Sequence, residues 1–582
     1  MKMLCTWLAV ILLVATLTGC SGNGDEPPSS AGGTGLDSTP PAAAFADMTK
    51  SERLLEPYDE PVEVHLALAF TVSENINAPA DLTPETSYYV EALKRDLNIE
   101  IIYDWIAGGE SYAAKFDAEI AAGNMPDILW IEALENFQML YQNGMLGDMT
   151  QSWEDYADDD IVRAFNFNGS ILDIGMRDGR LYGVTRASHP AQETSQTYYD
   201  MNKMSLLGID HYDALPATID EFEALADRIM RTDIDGDGLT GEPVLPGNKF
   251  YFGAGIFDFS PVFHAHGAWM DGWYADETGG LQPFLAEPTV KDALTTLNRW
   301  YEKGFFEKDF AAQDVWGADP KCKAEVLAGE YGVVFGSWWL PNGFIGYESG
   351  ENWIIGPTLT LNRETPTIVL DRYPASHMMS ISHTFEHPEA FYKIAKWLMA
   401  YGEYVTSYDY YLNATETDAL NENRTNWLWL PIRPGNPSGY IDNFLFIDEK
   451  RKSGVTELTP EERDTMWGSW NAYQLGIADE PTPADWGFYL SRLHEHGGIA
   501  RIYDLYMNAN KRYNETYITT ATMVEMHEQL QNMLDEAVLS IIVGDIPVSA
   551  YDDFLDQWWS LGGRQIKIEL DEWYQSNGGS TI

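Results

Sequence analysis

Positive charge is what this chain has least of: 36 lysines and arginines stand against 90 aspartates and glutamates, a net charge of −54 over 582 residues. The summed field of such a surface repels nucleic acid and anionic lipid headgroups. A nucleic-acid partner is therefore excluded, and a strongly anionic ligand would need a local basic pocket. An acidic excess is also an ordinary way to keep a surface solvated, so it carries no more than that. Long hydrophobic runs are equally scarce, and beyond the N-terminal segment no second stretch approaches the roughly 20 apolar residues that span a bilayer. Catalytic signatures are missing as well: there is no G-x-S-x-G elbow, no H-E-x-x-H pair and no phosphate-cradling G-x-x-x-x-G-K-[ST]. No internal repeat of solenoid length is found.

Cysteine is nearly absent, with Cys5, Cys20 and Cys322 as the full set. The first two belong to a leader: Lys2 supplies a short positive end, Leu8 to Val14 an apolar core, and Leu17-Thr18-Gly19-Cys20 its close. That core is too short to serve comfortably as a single-span anchor. The L-x-G-C pattern resembles the bacterial lipobox, which implies cleavage before Cys20 and acylation of that cysteine. Ser21 to Pro41 is rich in Ser, Gly and Pro and reads as a flexible tether. The boundaries expected are residues 1–19 for the signal, 20–60 for the tether, and a soluble body beyond, held on the outer face of a membrane. With this processing no intrachain disulfide can form, and Cys322 is expected to be a packed small residue.

What is present is core material. Hydrophobic residues make up 45% and aromatics 13% of the chain, enough for a large interior, and the length favours two or more lobes. Val62 to Phe70 alternates as a strand, a helix follows over Ser87 to Leu97, then a strand over Ile99 to Trp105. A helix near Tyr112 to Ala122 is ended by Gly123, and Pro126 to Ile131 is a third strand. Strand, helix, strand, helix, strand at this spacing means βαβ units and a mostly parallel sheet, an α/β class. Thr218 with Glu221 forms a capping box for a helix carrying Ile219, Phe222, Leu225 and Ile229. Thr289 is expected to cap a helix that Gly304 ends; Glu389 to Met399 and Val524 to Ile542 are further helices, and Tyr331 to Phe335 and Ser376 to Ile381 further strands.

Taken in order, Ala121-Ala122-Gly123-Asn124-Met125-Pro126-Asp127-Ile128-Leu129-Trp130, Leu181-Tyr182-Gly183-Val184, Tyr198-Tyr199-Asp200 with Leu207-Gly208-Ile209, Val333 to Trp339, and Ile541 to Asp545 followed by Leu561-Gly562-Gly563 resemble the extracellular solute-binding lipoproteins of bacterial ABC importers, in the carbohydrate group related to maltose-binding protein. The resemblance covers nearly the whole mature chain. It implies a two-lobed periplasmic-binding-protein-like α/β fold with a hinge and an interlobe ligand cleft. The lobes expected are 61–186 with 376–415, and 187–375 with 416–582. Crossings are expected near Gly183 to His189, near Tyr373 to Ser380 and between Tyr401 and Asn426. A carbohydrate ligand, ABC permease partners and a monomeric state are implied with them.

Asp233-Ile234-Asp235-Gly236-Asp237-Gly238-Leu239-Thr240-Gly241-Glu242 is the sharpest chemical signal in the body. Carboxylates at alternate positions can turn inward around a cation, and hard oxygens without His or Cys favour calcium. An EF-hand would place its bidentate acid at the twelfth position, which here is Val244. The stretch is similar to a calcium loop of this binding-protein group, which puts Asp233, Asp235, Asp237, the Leu239 carbonyl and Glu242 on one structural ion. Gly241 departs from the group's acid at the ninth position, which implies a water in its place. The alternative is an acidic surface loop without an ion.

A sugar offers apolar C–H faces and a rim of hydroxyls, so its site wants aromatic platforms with polar side chains around them. Trp130 closes the third strand, and ligands gather beyond the carboxyl ends of parallel strands. The resemblance places Trp130, Trp338 and Phe257 at cleft positions; Glu132 could accept hydrogen bonds from hydroxyls, and Asp127 is expected to brace the strand entry. The chain has 20 tryptophans, most of which must be core. His264-Ala265-His266 and His494-Glu495-His496 are expected to be satisfied histidines, while Trp427-Leu428-Trp429-Leu430-Pro431 and Trp467-Gly468-Ser469-Trp470 suit an enlarged cleft or the floor of the second lobe equally. Trp338→Ala is expected to weaken sugar binding and leave the fold intact. Two other function classes remain beside the lipid-anchored binding protein: a secreted polysaccharide-active enzyme, which would need two facing carboxyls, and a sugar-sensing surface receptor.

Overall fold

A computed structural model of the chain describes residues 49–576 except 70–82, 109, 167–170, 186–193, 277, 318–319, 346–351, 365–367, 372–376, 403–429, 435–438 and 517. The leader with Cys20 lies outside the described residues, as does Trp427-Leu428-Trp429 of the segment Trp427 to Pro431; its Leu430 is buried in the core of the first lobe, not in the floor of the second. Most of the three expected crossings also lie outside the described residues.

Eight strands build the two larger sheets: β1 Val62–Ala69, β2 Ile99–Ala107, β3 Ile128–Ile131, β4 Val184–Thr185, β5 Gln196–Asp200, β6 Val333–Gly336, β7 Trp353–Ile355 and β8 Met378–Ile381. The first sheet runs β2-β1-β3-β8-β4. Its first three strands are parallel, joined by the expected helices Tyr88–Leu97 and Glu110–Ala122. β8 then enters antiparallel, pairing Met378 with Ile131 on one side and with Thr185 on the other. Asp127 braces the start of β3 as expected: its carboxylate accepts the His65 N–H at 2.9 Å, and its own N–H donates to the His65 carbonyl at 2.8 Å. The second sheet, β6-β5-β7, is antiparallel throughout.

Each sheet has its own core. Val64, Leu66, Ile128, Phe137, Phe391 and Ile394 fill the first, and Tyr199, Phe222, Trp300, Phe335, Val538 and Tyr551 the second. Burying such side chains, at about 1.5–3 kcal/mol each, is what holds two lobes rather than one. The helix Ile219–Ile229 contributes the apolar stripe seen in its sequence, and Thr218 accepts the Glu221 N–H at 3.2 Å.

Three expectations need correction. The folded chain starts before residue 60: Lys50–Leu55 is a helix with a Thr49/Glu52 capping box, fastened by Lys393, whose ammonium donates to the Arg53 and Glu56 carbonyls. Thr289 caps nothing, because the helix begins at Pro288 and the proline's preset φ serves the first turn. The third correction concerns the return to the second lobe. Leu430 and Ile432 are buried in the first lobe's core, whereas the helix Gly439–Ser453 packs beside Trp338 in the second. A crossing therefore lies between Arg433 and Gly439, later than residues 401–426.

Candidate functional site

β3 delivers Trp130 to the carboxyl edge of the first sheet, where the chain turns at Glu132 into the helix Leu134–Gln142. The indole is held from several sides. Its backbone carbonyl accepts the Tyr112 hydroxyl at 2.9 Å, the His377 imidazole stacks at 4.4 Å between centroids, and the Arg433 guanidinium lies 4.2 Å from the ring centroid. Those neighbours leave Trp130 only 3% exposed. Glu132 itself is exposed. Burial pushes the Tyr112 hydroxyl up, Glu132 adds to the rise, and Arg433 opposes it, so both charges stand within electrostatic reach of that one ring.

At the same edge Thr185 ends β4, its hydroxyl donating to the His377 carbonyl at 2.8 Å. The chain leaves this edge after Thr185 and is next described at Thr194, from which β5 starts at Gln196. Gln196 pairs with Gly336, the last residue of β6, and Trp338 follows two residues on. A link over residues 186–193 can span at most about 30 Å. Connectivity thus keeps the edge bearing Trp130 within that reach of the start of β5, the strand whose first residue pairs with the end of β6 ahead of Trp338.

Trp338 is 8% exposed and packs on the helices Gly439–Ser453 and Gly498–Asn508. Its ring lies 4.8 Å from that of Tyr440 and 5.0 Å from the Arg492 guanidinium. Gly498 must be glycine for this approach, since a Cβ there would fall 2.6 Å from the Trp338 Cβ. Behind it, the Tyr198 hydroxyl donates to the Ser337 carbonyl at 2.7 Å. Phe257 is fully buried, with φ at +49°, an uncommon conformation for a bulky residue. It anchors a second-lobe cluster with Tyr198 and Leu340, so it lines no surface of this conformation. Next to it Asp258 is buried, and burial pushes its carboxyl up while hydrogen bonds from Ser260, Gly255 and Ser195 pull the other way.

The acidic loop folds as a tight wrap. The carboxylate oxygens of Asp233, Asp235 and Asp237 lie within 4.8 Å of one another. Gly236, Gly238 and Gly241 take φ values of +87°, +91° and +93°, the left-handed turns that fold the chain back around them. Asp233 accepts the Gly236 and Gly238 N–H groups, and Asp237 accepts that of Leu239, whose side chain stays 60% exposed. Burial raises the Glu242 carboxyl, and Asp235, Asp237, Asp233 and Glu330 add to it. This is a concentrated negative potential made of hard oxygens, the donor chemistry a divalent calcium ion requires. Glu330, distant in sequence, was not suggested by the motif.

The remaining candidates settle into structural work. Cys322 is buried and its thiol is pushed up to about 11 by burial, which makes it inert as a nucleophile. His266 meets the Thr296 hydroxyl at 3.0 Å, and burial drives His494 down to about 4. Among the described residues no helix is long and apolar enough to cross a membrane. Sequence reading missed His377, Arg433, Tyr440 and Arg492. None sits in a motif, and only the fold brings them to the two tryptophans.

Two α/β lobes with separate cores, joined by crossings and facing each other across a cleft, define a two-lobed binding protein. The chain belongs to the bacterial extracellular solute-binding protein family, whose model matches residues 79–405. Lipoprotein LipO of Bacillus subtilis is 22% identical over 515 residues, covering 86% of this chain and 90% of LipO. The polygalacturonan/rhamnogalacturonan-binding protein YtcQ of the same organism is 21% identical over 500 residues, 84% of this chain and 88% of YtcQ. Among solved structures, the Streptococcus pneumoniae ABC-transporter substrate-binding protein FusA in complex with kestose matches with a TM-score of 0.56 at 14% identity, over 90% of this chain and 100% of that one. An EF-hand mutant of FusA with fructo-nystose gives 0.53 at 14% identity, over 89% and 100%. These likenesses show the fold.

Proposed function

We propose that this chain is a lipid-anchored extracellular binding protein that captures an oligosaccharide between its lobes and delivers it, as a monomer, to an ABC permease. The observation that supports the reading is that Trp130 lies near the carboxyl end of its strand in the first sheet and Trp338 just past the end of β6 in the second, each with polar neighbours beside its ring. Supporting it, YtcQ is named for binding polygalacturonan and rhamnogalacturonan, and FusA was solved with kestose. Glu132 supplies an exposed acceptor for sugar hydroxyls at the same edge. The ligand acts by favouring the closed arrangement, to the extent that it touches both lobes at once.

Cys20 is the lipid site in this reading, and tethering keeps the protein concentrated at its permease. LipO, a lipoprotein by name, is similar over most of this chain. Asp233, Asp235, Asp237, the Leu239 carbonyl and Glu242 hold one structural calcium ion, and the ion supplies rigidity without chemistry.

Calorimetric titration of the mature protein with a panel of neutral and acidic oligosaccharides tests the function. Saturable binding without turnover is expected. Cleavage of any panel member would make the protein an enzyme, and a phenotype in sugar-responsive gene expression with uptake intact would make it a sensor. Cys20→Ala should move the protein from the membrane fraction to the medium.

A further inference from the structure

In a chain with 90 acidic residues and 36 basic ones, each cleft tryptophan nonetheless has an arginine against its ring. Arg433 in the first lobe acts on the same Tyr112 hydroxyl as the acidic Glu132. Arg492, the last residue of the helix Pro483–Arg492 in the second lobe, is different. It is only 9% exposed, with its guanidinium 5.0 Å from the Trp338 ring centroid, 4.3 Å from that of Phe488 and 5.4 Å from that of Tyr440. Its Nη1 donates to the Asn342 side-chain oxygen at 3.2 Å and the Ser491 hydroxyl at 2.7 Å, both neutral acceptors. Its Nε is buried without a partner. Among the described residues no carboxylate pairs with it.

A guanidinium does not lose its proton in a protein. Burying it without a counter-ion costs several kcal/mol, and stacking on aromatic faces returns only part of that, about 0.5–2 kcal/mol per ring. The Nε–Nη2 edge left without a hydrogen bond is the edge that receives both oxygens of a carboxylate in a forked pair. The Tyr440 ring beside the guanidinium stands in the first turn of the helix Gly439–Ser453 and packs on the same Trp338.

We propose that the cleft takes acidic, uronate-bearing oligosaccharides, with Arg492 binding a sugar carboxylate beside Trp338. The proposal rests on the sugar-binding reading above and names the ligand class for that same site. It also accounts for how a strongly acidic protein would accept an anionic ligand: the protein as a whole repels it, and a sequestered cation next to the aromatic platform supplies the local exception. A neutral sugar would leave Arg492 uncompensated in the closed state.

The test is calorimetric titration of the full mature chain with trigalacturonate, its methyl ester and neutral galactotriose. Trigalacturonate is expected to bind, with an affinity that falls as salt rises, and its methyl ester to bind at least about tenfold more weakly. Arg492→Met should weaken trigalacturonate by about 30-fold, and Arg492→Lys by less. Equal binding of acid and ester, or wild-type affinity for the acid in Arg492→Met, overturns the proposal and leaves Arg492 a packing residue. Binding of neutral sugars with none of the acid overturns it while sparing the sugar-binding reading. No binding by any oligosaccharide overturns both. Should Arg492→Met fail to fold, the comparison of acid with ester on the wild-type chain decides alone.

Discussion

The Nδ1 of His527 lies 3.8 Å from the Oε1 of Glu135, joining the long helix Ala521–Val543 of the second lobe to the first turn of the helix Leu134–Gln142 in the first. Glu135 stands in the first turn of the helix that follows Glu132, so this contact between lobes adjoins the edge that carries Trp130. A contact made only in one arrangement of the lobes biases their equilibrium by its own free energy. Both side chains are partly exposed, which limits that bias to about 1 kcal/mol at most. His527→Ala should therefore weaken ligand affinity by about two- to fivefold with the melting temperature unmoved, as read by calorimetry beside a thermal scan. A stronger complex in the variant would show that the contact belongs to the open form.

Trp338 carries more of the fold than its sequence neighbourhood suggests. Its ring is packed on Tyr440 and Arg492, and the close approach of Gly498 leaves no slack to refill the space. Truncating a buried tryptophan costs about 3–5 kcal/mol. Trp338→Ala should thus lower the urea midpoint clearly as well as weaken binding, contrary to the sequence expectation of an intact fold. Trp338→Phe, which keeps an aromatic face, should recover most of the stability; a full wild-type midpoint for the alanine variant would mean the ring is not packed as described.

The alternating and helical periodicities of the first lobe were legible because local burial writes them: β1 to β3 and their two helices sit where the apolar spacing puts them. The acidic loop was legible for a similar reason, since its geometry is set by ten consecutive residues. What could not be read is whatever depends on distant segments meeting. Trp130 was found from its strand end, but nothing in Ile432-Arg433-Pro434 announces that its arginine lies on that indole. Phe257 shows the converse, an aromatic at a cleft-like sequence position that the fold turns wholly inward. The interlobe crossing after Arg433 was misplaced because tryptophan-rich and polar stretches look alike in sequence whichever lobe they serve.

Lys396 fixes the first lobe from within. Its ammonium lies 2.7 Å from the Asp158 carboxylate, and both side chains are more than nine-tenths buried. Burial alone would raise the Asp158 carboxyl, but hydrogen bonds from Lys396 and the Ile161 N–H outweigh it and hold the group below the usual range. A folded-state value below the unfolded one stabilises the protein above the unfolded pKa of about 3.9, and the gain is lost as pH falls through the folded value. Urea midpoints should accordingly drop between neutral pH and pH of about 3. Lys396→Met leaves Asp158 buried without its cation and should cost about 3 kcal/mol at neutral pH, a loss that shrinks in acid as Asp158 takes up a proton.

The acidic loop permits a test in which the ion and the bare loop predict opposite signs. With calcium bound to the folded state alone, an ion at a hundred times its dissociation constant adds about 2.7 kcal/mol, so chelator should lower the melting temperature by roughly 5 °C. Without an ion, three carboxylates within 4.8 Å of one another and a Glu242 carboxyl already pushed up repel one another. Removing one charge from that set relieves repulsion. Asp235→Asn should therefore melt below the wild type in calcium, having lost a ligand, and at or above it in chelator, having lost only a repulsive charge. That crossover requires an ion. If the variant melts above the wild type in both conditions, the loop is an acidic surface turn whose glycines and Asx hydrogen bonds are sufficient to shape it.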